Sequence, residues 1–426
     1  MKITIATVGT RGDVQPYIAL GLGLQKSGHQ VQIATDSTFK GFIEASGLGF
    51  AAVKADPRRA LQEDIRRIGS NPVRLLRWID RQFTPLARGY FIDVRAACQD
   101  SDAVLVSALA FAAMHVAQAL GIPSLATYLY PITPTRSFPS MAASSLPKWL
   151  TGVGWINWMS FRLYNLAFFR MTLPVINDLR KEILGLPPVP WSYYLNIDIS
   201  DVPIIYGYSK HVIPHPADWG ATQHITGYWF LDDPEWRPPD ELSQFLEAGT
   251  PPIYIGFGSM VDAEAKKTTD IVLEALKLTG QRAILHGGWS DLGSHSLPET
   301  VYKVSDVPHS WLFPRMAAII HHGGAGTTAA ALRAGVPAVI VPYFGDQPFW
   351  ARRIYQLGVS PKPIPRDKLS TEKLAAAVLE AIREKNIRES ARQLGKHIRK
   401  EDGVTDAIQI IDRYLSEPEK LIQFNP

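Results

Sequence analysis

Cysteine is nearly absent from this sequence of 426 residues, where Cys98 stands alone. One cysteine excludes a disulfide scaffold and any cysteine-rich zinc site. It fits a reducing cytosol. Long apolar runs are also missing. The uncharged apolar stretch at residues 103–114 is too short to span a bilayer. After Met1 and Lys2 a short apolar run ends at Arg11 and Asp13, so no signal peptide is read there. The expectation is a soluble, cytoplasmic chain with at most peripheral contact with a membrane. An excess of one charge is lacking too. A formal net charge of +4 is no case for a nucleic-acid partner. It argues only weakly for anionic small molecules or a membrane surface. There is no HExxH, no CxxC, no low-complexity tract and no short repeat.

What is present is a chain longer than one core normally organises, with 46% hydrophobic residues. "KITIATV", "VQIAT", "DAVLVS" and "IPSLATYL" read as buried strands with helical stretches between them. Such alternation points to a parallel α/β sheet. A Pro- and Trp-rich passage at residues 215–239 reads as a linker. The pattern then restarts with "PIYIGFGS", "RAILHGGW", "MAAII" and "VPAVIVP". Four segments are expected: a domain at 1–214, a linker at 215–240, a domain at 241–400, and 401–426. In the last of these, a helix near 406–415 packs back on the first domain.

Three glycine turns follow strands: "GTRGD", "GFGS" and "HHGGAGTT". The paired histidines of the third turn, residues 321–328, raise the question of a metal. Tetrahedral zinc needs three or four ligands, and adjacent histidines rarely serve one ion. A phosphate site has a clearer mechanism. Gly323, Gly324 and Gly326 let backbone approach a ligand. Thr327 and Thr328 would open a helix whose first N–H groups attract an anion. A plain strand-to-helix turn with capping threonines fits these residues equally well. None of the turns has GxGxxG order. Asp36 follows the second strand, where a dinucleotide fold places its ribose acid, so a nicotinamide oxidoreductase is a distant alternative.

Taken together, "GTRGDVQPYIALGLGLQKSGH", "TPTRSFP", "PIYIGFGSM", "VPHSWLF", "HHGGAGTTAAALRAGVP" and "PYFGDQPFW" resemble nucleotide-sugar glycosyltransferases of the GT-B fold. The resemblance is to the branch holding sterol glucosyltransferases and glycopeptide glycosyltransferases. It implies two Rossmann-like domains whose parallel sheets face each other across a cleft. It further implies roles. His322, Gly324, Gly326 and Thr327 would hold the donor diphosphate, with Ser259 touching the same phosphates. Val307 and His309 would lie against uracil, and Asp346 and Gln347 would bond sugar hydroxyls. Two positions depart from the plant-type pattern. Asp306 stands where a tryptophan stacks on uracil, and Ala330 where a glutamate holds ribose.

The resemblance makes Asp13 the general base, as in glycopeptide-type members, with Thr10 and Arg11 as helpers. Its carboxylate would take the acceptor's proton as UDP leaves from the opposite face. The role calls for burial of the carboxylate. Asp is also a favoured N-cap, so Asp13 could instead cap a helix beginning near Val14. Trp155, Trp158, Phe161, Tyr164 and Phe168 recur at helical spacing and would form one aromatic face. That face is read as core, as a lipid-facing patch, or as a wall of the acceptor pocket. The pocket reading takes Trp155, Trp158, Phe161 and, from "TPTRSFP", Phe138. The Arg-rich segment 58–81 is read as a solvated helix face, with lipid headgroups as its alternative partner.

The expected protein is an inverting glycosyltransferase. It takes a sugar, glucose first, from a UDP-sugar to an apolar hydroxylated acceptor such as a sterol or terpenoid. The UDP-sugar is a co-substrate, and neither a cofactor nor an obligatory metal is expected. The rival within the fold is a natural-product glycosyltransferase using a nucleotide deoxysugar.

Overall fold

The computed structural model describes residues 1–54, 84–143, 146–191, 202–257, 265–287 and 297–417. Two parallel sheets organise them. The first holds β1 (Lys2–Ala6), β2 (Gln30–Thr35), β3 (Gly49–Ala52), β4 (Ala103–Val106), β5 (Ser124–Tyr128), β6 (Ile204–Tyr206) and β7 (Gln223–Ile225). Their spatial order is β3-β2-β1-β4-β5-β6-β7. The second holds β8 (Ile253–Gly256), β9 (Ala283–His286), β10 (Val301–Val304), β11 (Ala318–His321) and β12 (Ala338–Ile340), in the order β10-β9-β8-β11-β12. Every pairing among these strands is parallel. Helices cover both faces, so β4 and β8 are buried along their whole length. Continuous apolar runs such as "AVLV" are what such strands require.

Each sheet reverses its winding once. The first does so between β1 and β4, the second between β8 and β11. At such a point neighbouring connections leave in opposite directions and open a crevice beyond the strand ends. The Arg11–Lys26 helix follows β1, and the Ala325–Ala334 helix follows β11. Two of the three glycine turns, "GTRGD" and "HHGGAGTT", therefore sit at the two crevices.

Two sequence expectations change. The passage at 215–240 is not simply a linker, because it contains β7, which pairs with β6. Three residues between Pro and Trp clusters carry too little periodicity to reveal a strand. The helix after the third glycine turn starts at Ala325, ahead of both threonines.

The last described helix returns to the first domain. Ala407, Ile408, Ile411 and Leu415 of the Gly403–Ser416 helix join the core formed by Leu20 and Leu24. A Cβ at Gly23 would lie 2.5 Å from Val404 Cγ1, so this packing needs glycine there.

Candidate functional site: two helix starts across a cleft

The first turn is held by a reciprocal pair. Thr10 is the N-cap of the Arg11–Lys26 helix, and Asp13 is its third residue. Asp13 Oδ2 accepts from Thr10 N at 2.8 Å and from Thr10 Oγ1 at 2.9 Å. Asp13 is thus the inner member of a capping box, not the cap of a helix starting at Val14. Thr7 Oγ1 donates to the Asp13 carbonyl at 3.1 Å and ties the turn to the end of β1. Asp13 is half-buried, with Gly12 and Arg11 exposed beside it.

The second turn is shaped by His321 and Gly323. His321 is fully buried at the end of β11. Its Nδ1 accepts the Gly323 N–H at 3.1 Å. An acceptor Nδ1 leaves the proton on Nε2, and burial holds this imidazole neutral, well below the usual histidine pKa. Gly323 has φ +89°, and a Cβ there would lie 2.8 Å from Ile340 Cγ2. Only glycine fits both demands. Gly324 then caps the Ala325–Ala334 helix, and as glycine it brings no side chain to cap it. The capping-threonine alternative therefore fails, and the helix start presents backbone N–H groups. His322 is half-buried above this turn, with Nε2 2.5 Å from where a Gly324 Cβ would stand. Thr327, the third helical residue, is half-buried, whereas Thr328 is buried.

The two turns meet. A Cβ at Gly326 would lie 3.5 Å from Gly12 Cα. Two helix N-termini, one from each sheet, converge there with the Asp13 carboxylate on one side. Both ends carry partial positive charge. Arg11 crosses the same gap to Asp306 at 2.9 Å. Both side chains are mostly exposed, so this pair sets register more than it adds stability. Asp306, a departure from the plant-type pattern, is thus a contact between the two halves.

The "GDQ" residues adjoin the second turn. A Gly323 Cβ would lie 3.6 Å from Gln347 Cβ. Gln347 is 5% exposed, and its Oε1 accepts from Tyr343 N at 2.8 Å and from Phe344 N at 3.3 Å. Its carbonyl oxygen therefore holds its own loop. Asp346 is the N-cap of the Gln347–Gln356 helix, and its Oδ2 accepts from Trp350 Nε1 at 3.1 Å.

On the other flank, Val307 is half-buried and His309 stacks on Phe313, with ring centroids 4.2 Å apart. Burial pushes His309 down to about 3, helped by His286, Arg11 and His322. Tyr254 was missed at the sequence level. Its hydroxyl lies 3.4 Å from His309 Nε2. Gly256, two residues on and on the same strand face, leaves room for that hydroxyl: a Cβ would sit 2.3 Å from it. The Tyr-x-Gly spacing was the available signal. His286 was missed too. It ends β9, and burial lowers its pKa. Among the described residues, no group of three or more His, Cys, Asp or Glu could hold a metal ion.

The aromatic stripe divides. Six residues advance a helix by about 240°, so Trp155 and Phe161 cannot share a face. Phe161 is 2% exposed and meets Phe138 at 6.2 Å, while Trp155 is 63% exposed and Trp158 37%. Phe138 also meets Phe349 of the second domain at 5.9 Å and lines a cavity of about 350 Å³ with Ile213, His215 and Arg353. Trp155 and Trp158 do not line it. Ser259 and the segment 58–81 lie outside the described residues.

Known proteins resolve what this arrangement belongs to. Residues 3–139 match the "Glycosyltransferase family 28 N-terminal domain" model. Residues 273–411 match "Erythromycin biosynthesis protein CIII-like, C-terminal domain". The chain is 39% identical to sterol 3-beta-glucosyltransferase UGT80B1 of Arabidopsis thaliana, covering 97% of this chain and 68% of the relative. This chain belongs to the sterol 3-beta-glucosyltransferase family. The enzyme is also 38% identical to UGT80A2 of the same plant, covering 97% of this chain and 66% of that protein. It is 38% identical to a sterol 3-beta-glucosyltransferase of Cryptococcus neoformans, over 100% of this chain but 28% of that protein. The glycosyltransferase thus spans about two thirds of the plant relatives and under a third of the fungal one. Its fold is that of the calicheamicin glycosyltransferase CalG4, with TM-score 0.71 and 21% identity over 97% of this chain and 98% of that one. The glycosyltransferase VinC, solved with dTDP, follows at TM-score 0.65 and 19% identity over 98% and 100%.

Proposed function

We propose that this glycosyltransferase moves glucose from UDP-glucose to the hydroxyl of an apolar alcohol, a sterol first, with inversion at the anomeric carbon. The meeting of Gly12 and Gly326 carries this reading, because it puts the Asp13 carboxylate beside a helix start whose N-cap is a glycine. Residues 241–400 form the donor domain in this reading, and 1–214 with 401–426 the acceptor domain. The diphosphate lies on the amides of the Gly324–Thr327 turn, with His322 and Ser259 as side-chain donors. Val307 and His309 flank the base, and Asp346 and Gln347 face the sugar.

As the acceptor oxygen attacks C1, Asp13 takes its proton, held in place by Thr10 with Arg11 alongside. The C1–O bond breaks and its electron pair passes to the β-phosphate. Amides fixed before the reaction favour that growing charge without reorganising. The step is assigned no metal. The acceptor lies on the Phe138–Phe161 side of the first domain. The enzyme works in the cytoplasm at the periphery of a membrane, where sterols reside. The names of its relatives support the sterol and the sugar.

The experiment is a thermal-shift titration with UDP and NADH. A product search by mass then follows, with UDP-glucose and a library of sterols, terpenoids and phenols. A glucosylated sterol and stabilisation by UDP are expected. Stabilisation by NADH and not by UDP would sink the proposal.

A further inference from the structure

The Gly154–Leu179 helix has an outer face that the transfer chemistry leaves unused. Trp155, Trp158, Leu163 and Leu166 fall on it, and Leu163 is 58% exposed. Trp149, in the short helix just before it, is 74% exposed. Surface apolar residues are ordinary singly, but several large ones on one face mark a contact surface. Along this stretch of chain the charge has one sign. Residues 148–175 contain Lys148, Arg162 and Arg170 and no carboxylate. The Arg162 guanidinium lies over the Trp158 ring, 5.1 Å from its centroid. The first acid along the helix is Asp178, in its last turn. Glu182, just beyond, pairs with Arg88.

The helix cannot roll to hide this face. Asn157 on its inner side donates to the carbonyls of Arg136 and Thr151, both at 3.0 Å. Phe161 is wedged against Phe138, and Phe111 meets Phe168 at 5.3 Å. No described helix is long and apolar enough to cross a membrane.

We propose that this face is the surface on which the enzyme lies against an anionic lipid bilayer. Tryptophan prefers the headgroup level, where its ring is apolar and its N–H stays wet. Leu163 and Leu166 enter the acyl boundary, while Arg162 and Arg170 meet lipid phosphates. The inference deepens the peripheral placement proposed above and rests on that placement, not on the chemistry of transfer.

The test is co-sedimentation with phosphatidylcholine vesicles, with and without phosphatidylglycerol, in the absence of donor and acceptor. The wild-type chain should pellet with the anionic vesicles and be released by salt. The Trp155→Ser/Leu163→Ser variant should bind about tenfold less, with its melting curve unchanged. A variant that binds as wild type overturns this face and leaves the peripheral placement standing. A wild-type chain that binds neither vesicle overturns both, while UDP-dependent transfer remains independently measurable. A dimer in velocity sedimentation that the variant abolishes also overturns the proposal, because the face is then a protein interface.

Discussion

At Asp13 one oxygen, Oδ2, takes both hydrogen bonds from Thr10. Asparagine keeps a carbonyl oxygen that can accept them but cannot take a proton at neutral pH. Asp13→Asn should therefore lower the transfer rate by roughly 10²–10⁴-fold while leaving UDP affinity unchanged by calorimetry. A rate near wild type would reduce Asp13 to its part in the capping box. His321 invites a similar pair of variants. Asparagine Oδ1 occupies nearly the place of Nδ1 and can accept the Gly323 amide; leucine cannot. His321→Leu should raise the donor KM by about tenfold, the value of one lost buried hydrogen bond, and His321→Asn should restore it. Equal KM values for the two would refute the role. Acid should act through His115 as well. His115 is 1% exposed, and burial, with Arg180 beside it, pushes it down from 6.5 to about 3. The unfolded chain then binds the extra proton, so stability is full above about pH 6.5 and falls as the pH drops toward 3. Melting temperatures across that window should show the decline, and His115→Gln should lessen it.

Among elements, the two helix starts decide the outcome. A methyl on Gly326 would make ordinary contact with Gly12 at 3.5 Å, but a branched side chain would reach into it. Gly326→Ala should keep most activity. Gly326→Val should cut kcat by about tenfold or more with little change in melting temperature, since a misplacement of about 1 Å can cost 10²-fold. Much at this scale was legible in advance. "GTRGD" and "HHGGAGTT" each follow a short apolar run, and the run-turn-helix order survives as β1 and β11 with their helices. β3, β6, β7 and β10 were not read, although strands as short as β12 were, so length alone did not decide what was legible. The meeting of Gly12 with Gly326 was not legible from composition or spacing either. It joins distant parts of the chain, and only the resemblance hinted that the two motifs cooperate. The division of Trp155 from Phe161 could have been counted out on a helix but was not.

In the whole molecule, the Gly403–Ser416 helix closes the first domain after the chain has passed through the second. Gly23→Val would drive its side chain into Val404 and Ile408. Overpacking of this kind typically costs about 1–3 kcal/mol, and denaturant unfolding should show the first domain weakened. Urea curves that overlay those of wild type would show that the helix adapts. The arrangement also has a consequence for biosynthesis. Residues 403–416 leave the ribosome only after the whole second sheet has been made. Until then Leu20 and Leu24 lack their cover, and the nascent first domain waits with an open seam. A chain stalled short of that helix would offer the seam to chaperones, so a helix translated after the second sheet also certifies that the first domain has been finished.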